Sequence, residues 1–176
     1  MKPVFSILVF IVLLSPATIF DFSTDSDMSR WRVVDDGVMG GRSAGSFALN
    51  EDGHAVFSGR VSLENNGGFS SVRYRFRSGD ISSYTKIVMH VRGDGKKYQL
   101  RLKEQARDYH SYATSFDTNG AWQVIEIPFE QFYPQFRGRL LNMPDFAGIQ
   151  IEELGILVGN KKAEAFRLEI DKIELL

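Results

Sequence analysis

Gly41-Arg42-Ser43-Ala44-Gly45 has the G-x-S-x-G spacing of a nucleophile elbow, a sharp strand-to-helix turn that aims a serine at an acyl carbon. The flanks argue against that chemistry. Phe47 and Leu49 continue as strand where a helix is required, Gly37 and Gly40 supply loop where a strand is required, and no His–carboxylate pair is placed to activate Ser43. A Gly-rich loop whose serine hydrogen-bonds its own backbone is the preferred reading. Arg92-Gly93-Asp94 spells an integrin-type tripeptide, but Gly95 follows and the segment reads as a turn at a strand end. Its continuation through Lys96-Lys97 lacks the spacing of a phosphate-binding loop. His54, His90 and His110 are far apart with no metal-ligand spacing. The pairs Asp35-Asp36 and Glu152-Glu153 point to opposite faces if they lie on strands, which does not suit acid–base work. Asp21, Asp25 and Asp27, with Asp171 near the end, are the oxygen-rich set that would suit a structural calcium. The chain is expected to be non-enzymatic, with no cofactor and no metal.

Binding chemistry is better represented. Arg73, Arg75 and Arg77 fall on one face of one run, and Arg101 and Lys103 on one face of another. If the two runs share a sheet, their outer faces form a basic patch. Such a patch reads either as a solvated face with charges that protect sheet edges or as a docking face for an acidic protein or lipid headgroup. Glu169, Asp171 and Glu174 would form an opposing acidic strand. Trp31, Tyr109, Tyr112, Tyr133 and Phe136 are ring candidates for stacking on sugars, although rings in a small sandwich are more often core.

The elements that must position these groups are strands. Ala55, Phe57, Val61 and Leu63 share one parity, and Val72-Tyr74-Phe76, Ile87-Met89-Val91, Tyr98-Leu100-Leu102 and Phe166-Leu168-Ile170 each alternate with polar neighbours. A period of two in many short runs means half-buried strands. Turn signals punctuate them at Glu51-Asp52-Gly53, Ser78-Gly79-Asp80, Gly93-Asp94-Gly95, Thr118-Asn119-Gly120 and Gly159-Asn160. Trp122 to Phe129 is apolar on both parities, which predicts a central or loop-covered strand ended by Pro128. Positions 129–148 read as a long irregular, ring-rich loop that folds over the sandwich or binds something. A parity shift at Glu152-Glu153 reads as a β-bulge. No long helix, repeat or internal linker is evident. The expectation is an all-β single sandwich of about nine to eleven strands.

The 176 residues suggest one domain, and 43% hydrophobic content is enough for a core. A net charge of −1 gives no support for a nucleic-acid partner. The absence of cysteine excludes disulfides, Cys-ligated zinc and thiol nucleophiles. Met1-Lys2, the apolar run Val4 to Leu14 and Ser15-Pro16-Ala17 match a secretory signal peptide cut after Ala17. Residues 1–17 are therefore read as that segment and 18–176 as the sandwich domain, with a periplasmic or secreted location. The alternative is an uncleaved anchor, the only part then expected to touch a membrane.

Asp36-Gly37-Val38-Met39-Gly40-Gly41 with Ser43, and Leu63-Glu64-Asn65-Asn66-Gly67-Gly68-Phe69 with Ser71-Val72-Arg73, resemble motifs of the complex I intermediate-associated protein 30 family. Trp31, Phe57-Ser58-Gly59, Arg92-Gly93-Asp94-Gly95 with Tyr98, Trp122, Ile127-Pro128-Phe129, Phe136-Arg137-Gly138, Gly155-Ile156 and the Phe166–Ile173 run extend the resemblance from about Phe20 onward. It implies a galactose-binding-like jelly-roll and a non-catalytic, chaperone-like role in assembling respiratory complex I. The secretory-type start departs from the family's mitochondrial members. The expected partner is then a protein client, complex I subunits by resemblance or otherwise an envelope protein, with a glycan as the alternative ligand of an extracytoplasmic carbohydrate-binding module. The expected binding residues are Asp36, Gly37, Met39, Gly40, Gly41 and Ser43; Asn65, Asn66, Gly67, Gly68 and Phe69; and Arg73 with Arg92, Gly93, Asp94 and Gly95. Arg75, Arg77, Arg101 and Lys103 form the basic patch. Asp36, Asn65, Asn66 and Arg73 are expected to order the loops through side-chain hydrogen bonds. A carbohydrate module would show exposed rings beside a polar cleft at one end of the sandwich. An assembly factor would show no deep polar pocket and a broad patch near the Gly-rich loops.

Overall fold

A computed structural model describes residues 15–176, apart from the side chains of Val38 and Met39. Two antiparallel sheets pack face to face. The first runs β3 (Ala44–Leu49), β4 (Ala55–Val61), β13 (Glu164–Leu175), β6 (Lys86–Arg92) and β9 (Trp122–Pro128), and β1 (Ala17–Asp21) also pairs with β13. The second runs β11 (Arg139–Leu140), β10 (Tyr133–Phe136), β8 (Ser111–Asp117), β7 (Lys97–Lys103), β12 (Glu153–Val158), β5 (Ser70–Arg75) and β2 (Trp31–Asp35). Consecutive strands switch sheets repeatedly, in keeping with the galactose-binding-like jelly-roll expected from the resemblance. Of residues 1–17, read above as a signal peptide, positions 1–14 lie outside the described residues, and Ala17 opens β1 opposite Leu175.

Alternation explains the layers. Phe57, Met89, Val91, Leu168 and Ile170 turn inward from the first sheet against Val72, Tyr98, Leu100, Leu102, Leu154 and Ile156 from the second, all with no exposed surface. Each such side chain contributes about 1.5–3 kcal/mol when it leaves water. One end of the core is a ring cluster in which Trp31 stacks on Tyr74 at 4.7 Å between centroids, with Phe20, Phe22 and Phe47 around them. Trp31 is thus core rather than a sugar platform.

Several expectations change. Thirteen strands form among the described residues, because short pairings such as β10 with β11 carry no periodic signal. Among the described residues β9 pairs only with β6, so it lies at an edge and not at the centre. Its apolar double parity arises because Ile127 faces the core while Trp122 and Val124 stand exposed. Positions 129–148 are partly ordered as a short 3-10 turn and the β10–β11 hairpin, and Phe129, Phe132 and Phe146 pin the segment to the sandwich. The bulge lies elsewhere than Glu152-Glu153: β13 shifts register against β6 between Ile170 and Lys172.

Candidate functional site

The two Gly-rich segments are tied together by one carboxylate. Asp36 has no exposed surface. It accepts hydrogen bonds from Ser43 N at 3.0 Å, from the Ser43 hydroxyl, from Gly68 N at 2.6 Å and from Phe69 N at 3.3 Å. Burial works to raise its pKa, and these bonds outweigh burial and hold it below the usual carboxylate range. Gly41 and Gly67 are required by close approach, since a Cβ at either would overlap the Asp36 carboxylate. Asn65 and Asn66 take left-handed backbone angles, which asparagine tolerates, and Asn65 Nδ2 donates to Gly40 O at 3.0 Å. Asp36 and Asn65 therefore order these loops as expected. The carboxylate is fully engaged and has no face left for a ligand. Ser43, also buried, follows no elbow geometry, since strand β3 begins at Ala44.

The Arg92–Gly95 segment is likewise committed. Arg92 Nη2 bonds both Glu169 oxygens at 2.8 Å, and Asp94 receives Lys96 Nζ, the Tyr98 hydroxyl and Arg167 N. This supports the turn reading. The acidic strand lies on the other sheet from the basic patch, and its carboxylates are matched there: Glu169 by Arg92 and Arg167, Glu174 by Lys172. Of the calcium set, Asp27 is taken up by Ser29, and among the described residues no group of three ligating side chains converges on an ion position.

The open chemistry lies on the outer face of the second sheet, where a groove of about 790 Å³ crosses β5, β12, β7 and β8. β5 and β7 do share the sheet, with β12 between them. By register Arg73, Gly155 and Arg101 form one row, and Arg75, Glu153 and Lys103 the next. Gly155 leaves the space between the two guanidinium stems empty: a Cβ there would meet Arg73 Cγ at 3.5 Å and Arg101 Cβ at 3.9 Å. Contrary to expectation, Arg73 makes no side-chain hydrogen bond to a loop among the described residues; it lines this floor and lies 3.8 Å from Glu153. The sole carboxylate in the lining, Glu153, is shared by Arg75 at 2.8 Å and Arg73 at 3.8 Å. Among the described residues, Arg101 Nε and Nη2 donate only to Gln99 Oε1, at 3.1 and 2.8 Å. Burial and the Arg73 charge both push the Arg101 pKa down, and burial does the same at Lys103. Arg77 lies past the end of β5 and does not line the groove.

Two walls bound this floor. Gly68 and Phe69, with Gly159 and Lys161, close one end; Tyr109, His110 and the turn Phe136-Arg137-Gly138 rise on the other side. Tyr109 is 66% exposed and meets Phe136 edge-on, with centroids 5.4 Å apart. Both ring nitrogens of His110 are buried without a hydrogen-bond partner among the described residues. Arg137 and Lys161 hold positive φ, 51° and 57°, a conformation that costs a long side chain energy and recurs at functional sites. Gly155, Gln99, Arg137, Lys161 and Glu153 were not among the expected site residues. An isolated glycine inside an apolar strand and an Arg-Gly pair between strand runs are the local signals for two of them. The Met39 side chain lies outside what is described. A smaller hollow on the first sheet, lined by His54, His90, Trp122 and Asp171, has each imidazole 3.8 Å from the carboxylate.

The chain matches the family model described as Complex I intermediate-associated protein 30 over residues 20–170. Two curated relatives carry the name "Complex I intermediate-associated protein 30, mitochondrial". The Drosophila melanogaster protein is 26% identical over 89% of this chain and 62% of its own length, and the Mus musculus protein 24% identical over 93% and 57%. The chain thus spans a little over half the length of these relatives. Among solved structures, a family 11 carbohydrate-binding module of a Clostridium thermocellum cellulosomal cellulase superposes with TM-score 0.67 at 17% identity, covering 93% of this chain and 95% of the module. A family 30 carbohydrate-binding module gives 0.55 at 15% identity, covering 93% and 99%. At such identity the likeness shows the fold alone. The periplasmic or secreted location expected from residues 1–17 is corrected: the relatives are named as mitochondrial proteins, which points away from export. With the family match spanning nearly the whole sandwich, the chain belongs to the complex I intermediate-associated protein 30 family.

Proposed function

We propose that this chain is a non-enzymatic, chaperone-like binding module that holds a protein client during assembly of respiratory complex I, and that the client sits in the groove of the second sheet. A polar groove departs from the pocketless patch expected of an assembly factor, and what carries this reading is its charge: Arg73, Arg101, Lys103, Arg137 and Lys161 line it with one carboxylate, Glu153. A protein that needs those charges only for solubility has no reason to desolvate Arg101 beside Arg73. The family's naming supports complex I as the setting. The Gly-rich motifs act beneath the site, since the Asp36 tie fixes Gly68 and Phe69 at the groove's end. A crosslinking pull-down from the native host tests the reading. Complex I subunits are expected with the unaltered chain and should be lost with Gly155→Val, which fills the floor without touching the loops. Their equal recovery with both would refute it.

A glycan is the second reading, favoured by the exposed Tyr109, Tyr133 and Phe136 rings and by folds shared with carbohydrate-binding modules. Against it, Tyr109 and Phe136 lie at 76° to one another, so they offer no common flat platform, and the Arg137 guanidinium already sits 5.3 Å over the Phe136 ring.

A further inference from the structure

We infer that the groove recognises an extended acidic peptide segment, one carboxylate of which seats above Gly155 between Arg73 and Arg101. This rests on the protein-client reading above and names the chemistry of the client's contact. In the register of the sheet the two arginines stand two strands apart, roughly 10 Å between backbones. Gly155 keeps the intervening floor clear, so both guanidiniums can turn toward one acceptor. Arginine presents a planar fork that binds carboxylate in a bidentate way. Arg101 is free to do this, since its present partner is the neutral Gln99 side chain. Glu153 does not fill the role: it lies one row along, is bonded by Arg75 at 2.8 Å, and reaches Arg73 only at 3.8 Å.

The rest of the groove fits a chain rather than a point anion or a flat surface. Its length is bounded by cations at two corners, Lys161 at one and Arg137 at the other, each on a left-handed residue that fixes where the side chain starts. Tyr109, 66% exposed on the wall, offers an apolar face for a client side chain. An extended peptide repeats its side chains on one face every second residue, so acidic and apolar groups can meet these features in turn. Arg101 is half-buried in a groove that Tyr109 and Phe136 also line. A flat bilayer surface is a poorer match than a single extended chain for a half-buried guanidinium within a lined groove.

The test uses the purified full chain and fluorescence anisotropy of a labelled octapeptide alternating glutamate and serine. The same peptide with glutamine in place of glutamate is the control. The expected result is binding of the glutamate peptide at least tenfold tighter than the glutamine peptide, weakened by salt. Arg101→Met and Arg73→Met should each cost at least fivefold, and Trp122→Ala, on the other sheet, should leave affinity unchanged. Circular dichroism confirms that each variant is folded. Equal affinity for the two peptides, no binding of either, or an unaffected Arg101→Met would overturn the inference. So would capture by vesicles containing phosphatidylglycerol with no affinity for the glutamate peptide. Failure here is separable from failure of the client reading. Loss of complex I subunits from Gly155→Val pull-downs, with no peptide preference, would sink the acidic-segment inference alone. A clear peptide preference, with subunits recovered equally from Gly155→Val, would sink the complex I reading alone.

Discussion

Asp36→Asn tests whether the family's signature loops are structural. The substituted amide keeps the shape of the side chain and one acceptor, but its NH2 group faces donors at the other oxygen position. In the fold those oxygens take Ser43 N, the Ser43 hydroxyl, Gly68 N and Phe69 N. The Ser43 hydroxyl can turn to Ser62 O, 3.3 Å away, and the Phe69 contact is long, so the losses concentrate on one or two strong bonds. A hydrogen bond to a charged group is worth about 1.5–3 kcal/mol. The expected cost is therefore about 2–4 kcal/mol. At about 2–4 °C per kcal/mol for a domain of this size, the melting midpoint should fall by roughly 4–16 °C. The assay is thermal unfolding followed by circular dichroism at pH 7 and pH 3. Because the folded-state pKa of Asp36 lies below its unfolded value, its contribution is complete above the unfolded pKa of about 3.9 and drains away as pH falls through the folded one. The gap between Asp36→Asn and the unaltered chain should therefore narrow at pH 3. A midpoint within about 2 °C of the unaltered chain at pH 7 would refute the reasoning, as would a gap equally wide at both pH values; neither magnitude survives without the carboxylate's bonds.

Gly41→Ala should destabilise the fold by on the order of 2–3 kcal/mol, since its Cβ collides with the buried Asp36 carboxylate; denaturant unfolding reads the loss. Arg101→Met should raise the melting midpoint by about 1–4 °C while weakening client capture, because a desolvated cation beside Arg73 is replaced by an apolar chain. A lowered midpoint would show that Arg101 is there for stability. Trp122→Ala removes an edge-strand ring that meets His54 edge-on and lies under the Arg92 guanidinium, and it should shift the midpoint by no more than about 4 °C, with client capture intact in a pull-down.

The sandwich was legible because its signal is local. Tyr98-Leu100-Leu102 or Phe166-Leu168-Ile170 can bury one face in only one way, so alternation alone places them inward. β9 misled for a related reason: Trp122 and Val124 are apolar yet exposed, and parity cannot separate a buried face from an uncovered one. The basic stripe was legible strand by strand, but its meaning was not. Whether Arg73 and Arg101 oppose each other, and that Gly155 lies between them, depends on β12 inserting between β5 and β7 from more than fifty residues downstream, a pairing that no local pattern encodes. The Gly-rich motifs were conspicuous and drew the expected site to themselves. Gly41 and Gly67 answer to the Asp36 carboxylate packed against them, while the open groove is built largely from strand faces.

The most direct measurement places a photo-crosslinking amino acid at Tyr109, on the groove's exposed wall, in the full chain expressed in its native host. A second chain carries it at Val124, exposed on the opposite sheet. After illumination the attached proteins are identified by mass spectrometry. Complex I subunits are expected to be joined at Tyr109 and absent at Val124. The same subunits joined equally from both positions, or from Val124 alone, would contradict it.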